Sequence, residues 1–98
     1  MLNFVLCDDN FSAINKLSKM LESIIISHNL KGQITFTTND PHKLLDYAKN
    51  NPIHVLLLDI DLKSSMSGLQ IAEKIRNIDK NVYIIFITRT FWIWNGCL

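Results

Sequence analysis

At 98 residues the chain is one domain or part of one, too short for two. Hydrophobic residues form 48% of it, enough for a buried core and too many for a disordered segment. Charged residues make up 19% and nearly balance at +1, which excludes a strongly basic nucleic-acid-binding face, so no direct nucleic-acid contact is expected.

The two cysteines, Cys7 and Cys97, sit near opposite ends and lack CxxC spacing. A metal or disulfide framework is therefore not expected, and a reducing cytoplasm fits best. No apolar run approaches the roughly 18 residues that would span a bilayer, so no membrane association is expected. The N-terminus reaches an acidic pair by residue 8 and lacks the shape of a signal peptide.

Leu2–Cys7 (LNFVLC) is a short apolar run that reads as a buried strand ending at Asp8-Asp9-Asn10. Ile14, Leu17, Leu21, Ile24 and Ile25 then recur at helical spacing, with Lys16, Lys19 and Glu22 off that stripe. Asn10 or Ser12 suits the cap, and Lys31-Gly32 suits the stop. Gln33–Thr38 alternates, which predicts an edge strand with Ile34 and Phe36 on one face. Asp40-Pro41 opens a second helix, with Leu44, Leu45 and Ala48 on its apolar side, and Asn50-Asn51-Pro52 closes it.

His54–Leu58 (HVLLL) is a second buried-strand run and leads straight into Asp59. Residues 60–68 are polar and turn-rich. Leu69, Ala72 and Ile75, with Ile71 and Ile78, predict a third helix, broken at Asp79-Lys80-Asn81. Val82–Ile87 (VYIIFI) is the most hydrophobic strand. Strict alternation of strand and helix means right-handed crossovers and a parallel sheet with helices on both faces. The continuous apolar strands suit central positions.

In such folds ligands collect at the carboxyl ends of the strands. Asp8 and Asp9 close the first strand, Asp59 the third, and Thr88 the fourth. Three carboxylates on one rim repel one another unless a cation compensates. Mg²⁺ is well suited here, because it takes oxygen ligands, is often held by only one or two carboxylates, and keeps open positions for phosphoryl oxygens. A carboxylate can itself be the nucleophile in phosphoryl transfer, giving an aspartyl phosphate. The Thr88 hydroxyl could donate a hydrogen bond to a phosphoryl oxygen. Taken singly, Asp8-Asp9 also suit a turn, Asp59 a helix cap, and Thr88 an ordinary strand end. The three histidines, His28, His42 and His54, show no ligand spacing and read as structural or exposed.

The ordered set of Asp8-Asp9, Asp59 after HVLLL, a Gly68 turn into a helix, and Thr88 after VYIIFI resembles the receiver domain of bacterial two-component response regulators. The stretch LLLDIDLKSSMSGLQIAEKIR looks most like the branch whose full-length members carry a LytTR DNA-binding domain, such as the accessory gene regulator A proteins. The resemblance covers about residues 2 to 88. It implies a flavodoxin-like, doubly wound α/β sheet, here of about four strands in the order 2-1-3-4 with three helices. It also implies roles. Asp59 matches the phosphoacceptor, Asp9 the direct metal carboxylate and Asp8 the carboxylate that reaches the metal through water. Asp61 stands where a backbone carbonyl binds the metal, and Thr88 matches the switch hydroxyl. The implied cofactor is Mg²⁺, the implied partner is a sensor histidine kinase, and full-length relatives regulate transcription.

The chain departs from the family pattern at its C-terminal end. Receiver domains continue through a further helix, a fifth strand ending in a lysine that contacts the phosphoryl group, and a final helix. Here no lysine follows Lys80, Arg89 stands where a small residue is usual, and residues 89–98 form an atypical hydrophobic tail beyond an incomplete receiver at 1–88. Strand 82–87 is then expected to present an open edge that, with the tail, offers a homo-oligomer contact. Two other functions compete. Asp59-Ile60-Asp61 mimics the DxD of a haloacid-dehalogenase-type phosphatase, but that motif expects Thr or Val where this chain has Lys63. A degenerate fragment would serve only as an interaction module or lack function.

Overall fold

The computed structural model describes residues 1–88 and, as backbone, 92–95. The expectations on Arg89, Cys97 and the side chains of the 89–98 tail fall outside it. The elements run β1 (Leu2–Cys7), α1 (Phe11–Ser27), β2 (Gly32–Thr38), α2 (Pro41–Asn50), β3 (Val55–Asp59), α3 (Gly68–Ile78), β4 (Tyr83–Ile87) and β5 (Trp92–Asn95). The sheet order is β2-β1-β3-β4-β5. The first four strands are parallel in the order expected, and three helices cover them.

The two faces carry separate cores. Val5, Cys7, Leu56, Leu58, Ile84 and Phe86 point to one side, where Leu44 of α2 and Ile71, Ala72 and Ile75 of α3 cover them. Phe4, Leu6, Leu57 and Ile87 point to the other and meet Leu21 and Ile25 of α1. A central parallel strand buries both faces, which is why β1 and β3 are apolar at nearly every position.

Three local features differ from the sequence reading. Ile34 and Phe36 lie on opposite faces: Ile34 packs on the α1 side, while Phe36 packs on the other. The cause is a register shift: Phe4 pairs with Ile34 but Val5 with Phe36, so Thr35 is an extra residue, a bulge. Phe36 thereby stacks on Tyr47 of α2, with centroids 4.3 Å apart and rings 3° from parallel. Second, α1 stops at Ser27, short of Lys31-Gly32. Asn29, at φ 53°, supplies the left-handed turn, and the Leu30 and Asn29 N–H groups donate to Ile25 and Ile26 carbonyls in a Schellman arrangement. Third, Leu69 is 55% exposed, while Gly68, Ile71, Ala72 and Ile75 form the buried face of α3.

The open edge expected of strand 82–87 is not present. Residues 92–95 return antiparallel and pair with β4, from Ile87 opposite Trp92 to Ile84 opposite Asn95. An antiparallel neighbour needs only a short turn, whereas a parallel one needs a crossover of a dozen residues or more. β4 is thus an interior strand and offers no edge to a second chain.

Candidate functional site

The rim is built by where strands stop. β1 ends at Cys7, and the Asp8 N–H donates to the Thr38 carbonyl at 3.2 Å, fixing the first carboxylates against the end of β2. Asp59 is the last residue of β3, opposite Ile87 of β4. The Ile60 N–H donates to the Ile87 carbonyl at 3.1 Å, which draws the ends of β3 and β4 together and sets Thr88 beside the cleft.

Asp8, Asp9 and Asp59 each present a carboxylate oxygen within 4.8 Å of the others. Asp8 is buried at 7% exposure, and its Oδ1 accepts the Asn10 N–H at 2.9 Å. Asp9 accepts the Lys63 N–H at 3.3 Å. Asp59 Oδ1 accepts the Asp61 N–H at 2.9 Å.

Burial, reinforced by the charges of Asp8 and Asp9 and opposed by the Asp61 N–H that favours its anion, pushes the Asp59 carboxyl up to about 6. Burial also raises Asp8, opposed by the Asn10 N–H and reinforced by Asp9. Cys7, buried beneath the rim beside Asp8, is pushed up to about 12, which makes it an inert apolar filler rather than a nucleophile. Three hard oxygen donors at this spacing fit a hard divalent cation, which would relieve the repulsion that adds to the effect of burial on Asp59.

The loop after β3 is pinned by alternation. Ile60 and Leu62 turn into the core, with Met66 further on, so Asp61 and Lys63 fall on the opposite side and line the cleft. Gly68 then sits against the strand end. A Cβ there would lie 2.6 Å from the Asp59 carbonyl oxygen and 2.9 Å from the Ile60 Cα, so only glycine lets α3 approach this closely. Ser67 and Gln70 form a capping box that fixes the start of α3 at this point. The other wall is α1, capped by Asn10, whose side chain accepts the Ser12 and Ala13 N–H groups at 2.8 and 3.3 Å. The space between the walls is about 540 Å³ and opens to solvent.

Every residue singled out from the sequence, Asp8, Asp9, Asp59, Asp61 and Thr88, lines this one cleft. Sequence reasoning missed Lys16 and Lys63, which line it too. By pattern alone Lys16 is one more lysine on a solvated helix face. Its neighbour Leu17 marks the edge of the apolar stripe, and that adjacency is the available sign.

The model of the response regulator receiver domain matches residues 4–91. The chain belongs to the response regulator receiver family. Accessory gene regulator protein A of Staphylococcus epidermidis is 28% identical over 88 residues, covering 89% of this chain and 37% of the relative. The receiver therefore spans little more than a third of the curated relatives it matches. A solved complex of the histidine kinase ThkA with the response regulator protein TrrA contains a chain that superposes with TM-score 0.74 at 23% identity, over 93% of this receiver and 72% of that chain. A response regulator protein from Burkholderia pseudomallei, solved with a phosphorylated aspartic acid and a calcium ion, superposes with TM-score 0.69 at 20% identity, over 88% of this receiver and 46% of that chain. At such identities these likenesses speak for the fold. Among the described residues, no helix is long and apolar enough to cross a membrane.

Proposed function

We propose that this receiver takes a phosphoryl group on Asp59, with a divalent cation held by Asp8, Asp9, Asp59 and the Asp61 backbone carbonyl. The observation that carries the reading is the convergence of three carboxylates within 4.8 Å at the end of a central parallel strand. The Burkholderia pseudomallei relative, with its phosphorylated aspartic acid and calcium ion, supports it.

Asp59 Oδ1 is engaged by the Asp61 N–H, so its second oxygen is the nucleophile. That oxygen forms a bond to phosphorus as the bond to the leaving group breaks, and the leaving group departs with its electron pair. The ionised form is the nucleophile, and a carboxyl pushed up to about 6 is already mostly ionised at neutral pH. Mg²⁺ held by Asp8, Asp9 and Asp59 would favour that form further and would neutralise charge at the phosphoryl oxygens. Thr88, at the end of β4, donates its hydroxyl to the phosphoryl group and acts as the switch. The step occurs once per chain, without turnover of a phosphoester, so the receiver is a phosphoacceptor and not an enzyme in its own right.

The donor in the cell is a sensor histidine kinase, a reading supported by the ThkA–TrrA complex. Residues 1–88 form the receiver unit and 89–98 a hydrophobic C-terminal tail, of which 92–95 join the same sheet as β5. The protein works in the cytoplasm, and its longer relatives, named as gene regulators, point to control of transcription.

Incubation with acetyl phosphate and Mg²⁺ tests the reading by intact mass. One phosphoryl group per chain is expected, labile to base and absent from Asp59→Asn. An equal adduct on Asp59→Asn, or none on the wild type at saturating Mg²⁺, contradicts it.

A further inference from the structure

The cleft holds more negative charge than the three converging carboxylates. Asp61 lines it as well, so four acidic residues border a space of about 540 Å³. A divalent cation cancels two of those charges. The remaining two would repel an incoming phosphoryl group, itself an anion. Two lysines line the same space and carry a charge that matches that remainder: Lys16 and Lys63.

Their placement on opposite walls is a consequence of the fold. Lys16 lies on α1, one turn beyond Ala13 and beside Leu17, both of which also face the cleft. Leu17 packs on the α1-side core, so the helix cannot rotate Lys16 away without unburying it. Lys63 is fixed differently. Its backbone N–H donates to Asp9 at 3.3 Å, and the neighbouring Leu62 is 7% exposed in the opposite core. One cation is thus anchored through a helix and the other through a loop tied to the acidic cluster itself. Both side chains are exposed, so each can swing onto a ligand.

We propose that Lys16 and Lys63 form a cationic pair that receives the phosphoryl group at Asp59, one from each wall of the cleft. The inference rests on the reading of Asp59 as acceptor and adds to it the groups that bind the anion. The chemical class recognised is a small tetrahedral oxyanion or its fluoride mimic, bound next to a divalent cation. The pair has opposite effects on the two ligands. It repels the cation and attracts the anion, so removing it has opposite consequences for each.

The test uses beryllofluoride and Mg²⁺ with Lys16→Gln, Lys63→Gln and the double variant. Lys19→Gln, on the same helix but away from the cleft, is the control. Beryllofluoride binding at saturating Mg²⁺ is followed by ¹⁹F NMR, and Mg²⁺ binding alone by calorimetry. Affinity for beryllofluoride is expected to fall roughly threefold in each single variant and roughly tenfold in the double, as for partly exposed charge pairs. Mg²⁺ alone should bind as tightly or more tightly. Double replacement by arginine should restore the anion affinity. Wild-type beryllofluoride affinity in the double glutamine variant overturns the proposal. So does a parallel loss of both ligands, which marks general damage to the site. If the wild type forms no Mg²⁺-dependent beryllofluoride complex, the reading of Asp59 falls and this inference falls with it. Wild-type binding without a lysine effect removes the inference alone.

Discussion

The two ends of the sheet solve the same problem in opposite ways. At the end where strands begin, polar groups are paired with one another. His54 Nδ1 accepts the Asn3 N–H at 2.8 Å, and the Asn3 carbonyl accepts the His54 N–H at 3.0 Å. The His54 carbonyl takes the Tyr83 N–H at 2.9 Å, and Gln33 Nε2 donates to Asn3 Oδ1 at 3.4 Å. This network links β2, β1, β3 and β4. At the end where strands stop, like charges are held together instead, and Asp59 is pushed up to about 6. One end is satisfied by the chain itself. The other holds unbalanced charge, the kind of local departure that clusters at functional sites.

The largest break in that comparison is at Gly68. Gly68→Ala forces α3 away from the Asp59 carbonyl that a Cβ would meet at 2.6 Å. It should cost about 2–3 kcal/mol in urea unfolding and also lower phosphoryl uptake. A neutral result would mean that the rim tolerates movement of its acceptor strand. Asn10→Ala comes next. It removes the acceptor for two N–H groups at the start of α1 and should cost about 1 kcal/mol by the same measurement. His54→Ala probes the satisfied end. It leaves the Asn3 N–H without its side-chain acceptor and should cost roughly 1 kcal/mol, with no change in Mg²⁺ affinity. A change in Mg²⁺ affinity would show that the two ends are coupled.

The smallest effect has the opposite sign. Without a cation, a carboxyl whose folded value lies above its ordinary 3.8 destabilises the fold when ionised. The stability linked to Asp59 is therefore present below about 4 and lost as pH rises through about 6. Asp59→Asn should raise the metal-free melting temperature at pH 7 by roughly 2–4 °C, the shift from about half a kcal/mol in a domain of this size. With Mg²⁺ the order should invert, because the variant loses a ligand. Calorimetric melts of both proteins at pH 4 and 7 check this.

Much of the architecture is readable from sequence because periodicity and punctuation agree. The apolar runs of β1, β3 and β4 need burial on both faces, and Asp40-Pro41 and Asn10 mark helix starts. The rim carboxylates are readable because each directly ends a run. What escapes depends on non-local geometry. The bulge at Thr35 arises from pairing with β1 and turns Phe36 to the face opposite Ile34, so alternation along β2 alone misleads. The rotation of α3 is set by contact of Gly68 with the Asp59 backbone, which leaves Leu69 outside. The pairing of residues 92–95 with β4 is a contact between strands that no spacing rule specifies. Lys16 and Lys63 look like ordinary solvated lysines because a cleft has no period.

The rim holds its charges at a cost, and the proposed role of Asp59 has a divalent cation relieve it. Carboxyl-resolved ¹³C NMR of Asp59 across pH, with and without Mg²⁺, measures it directly. A midpoint near 6 without the cation, falling below the ordinary 3.8 when Mg²⁺ is present, is the expected result. An ordinary midpoint in both conditions would contradict it.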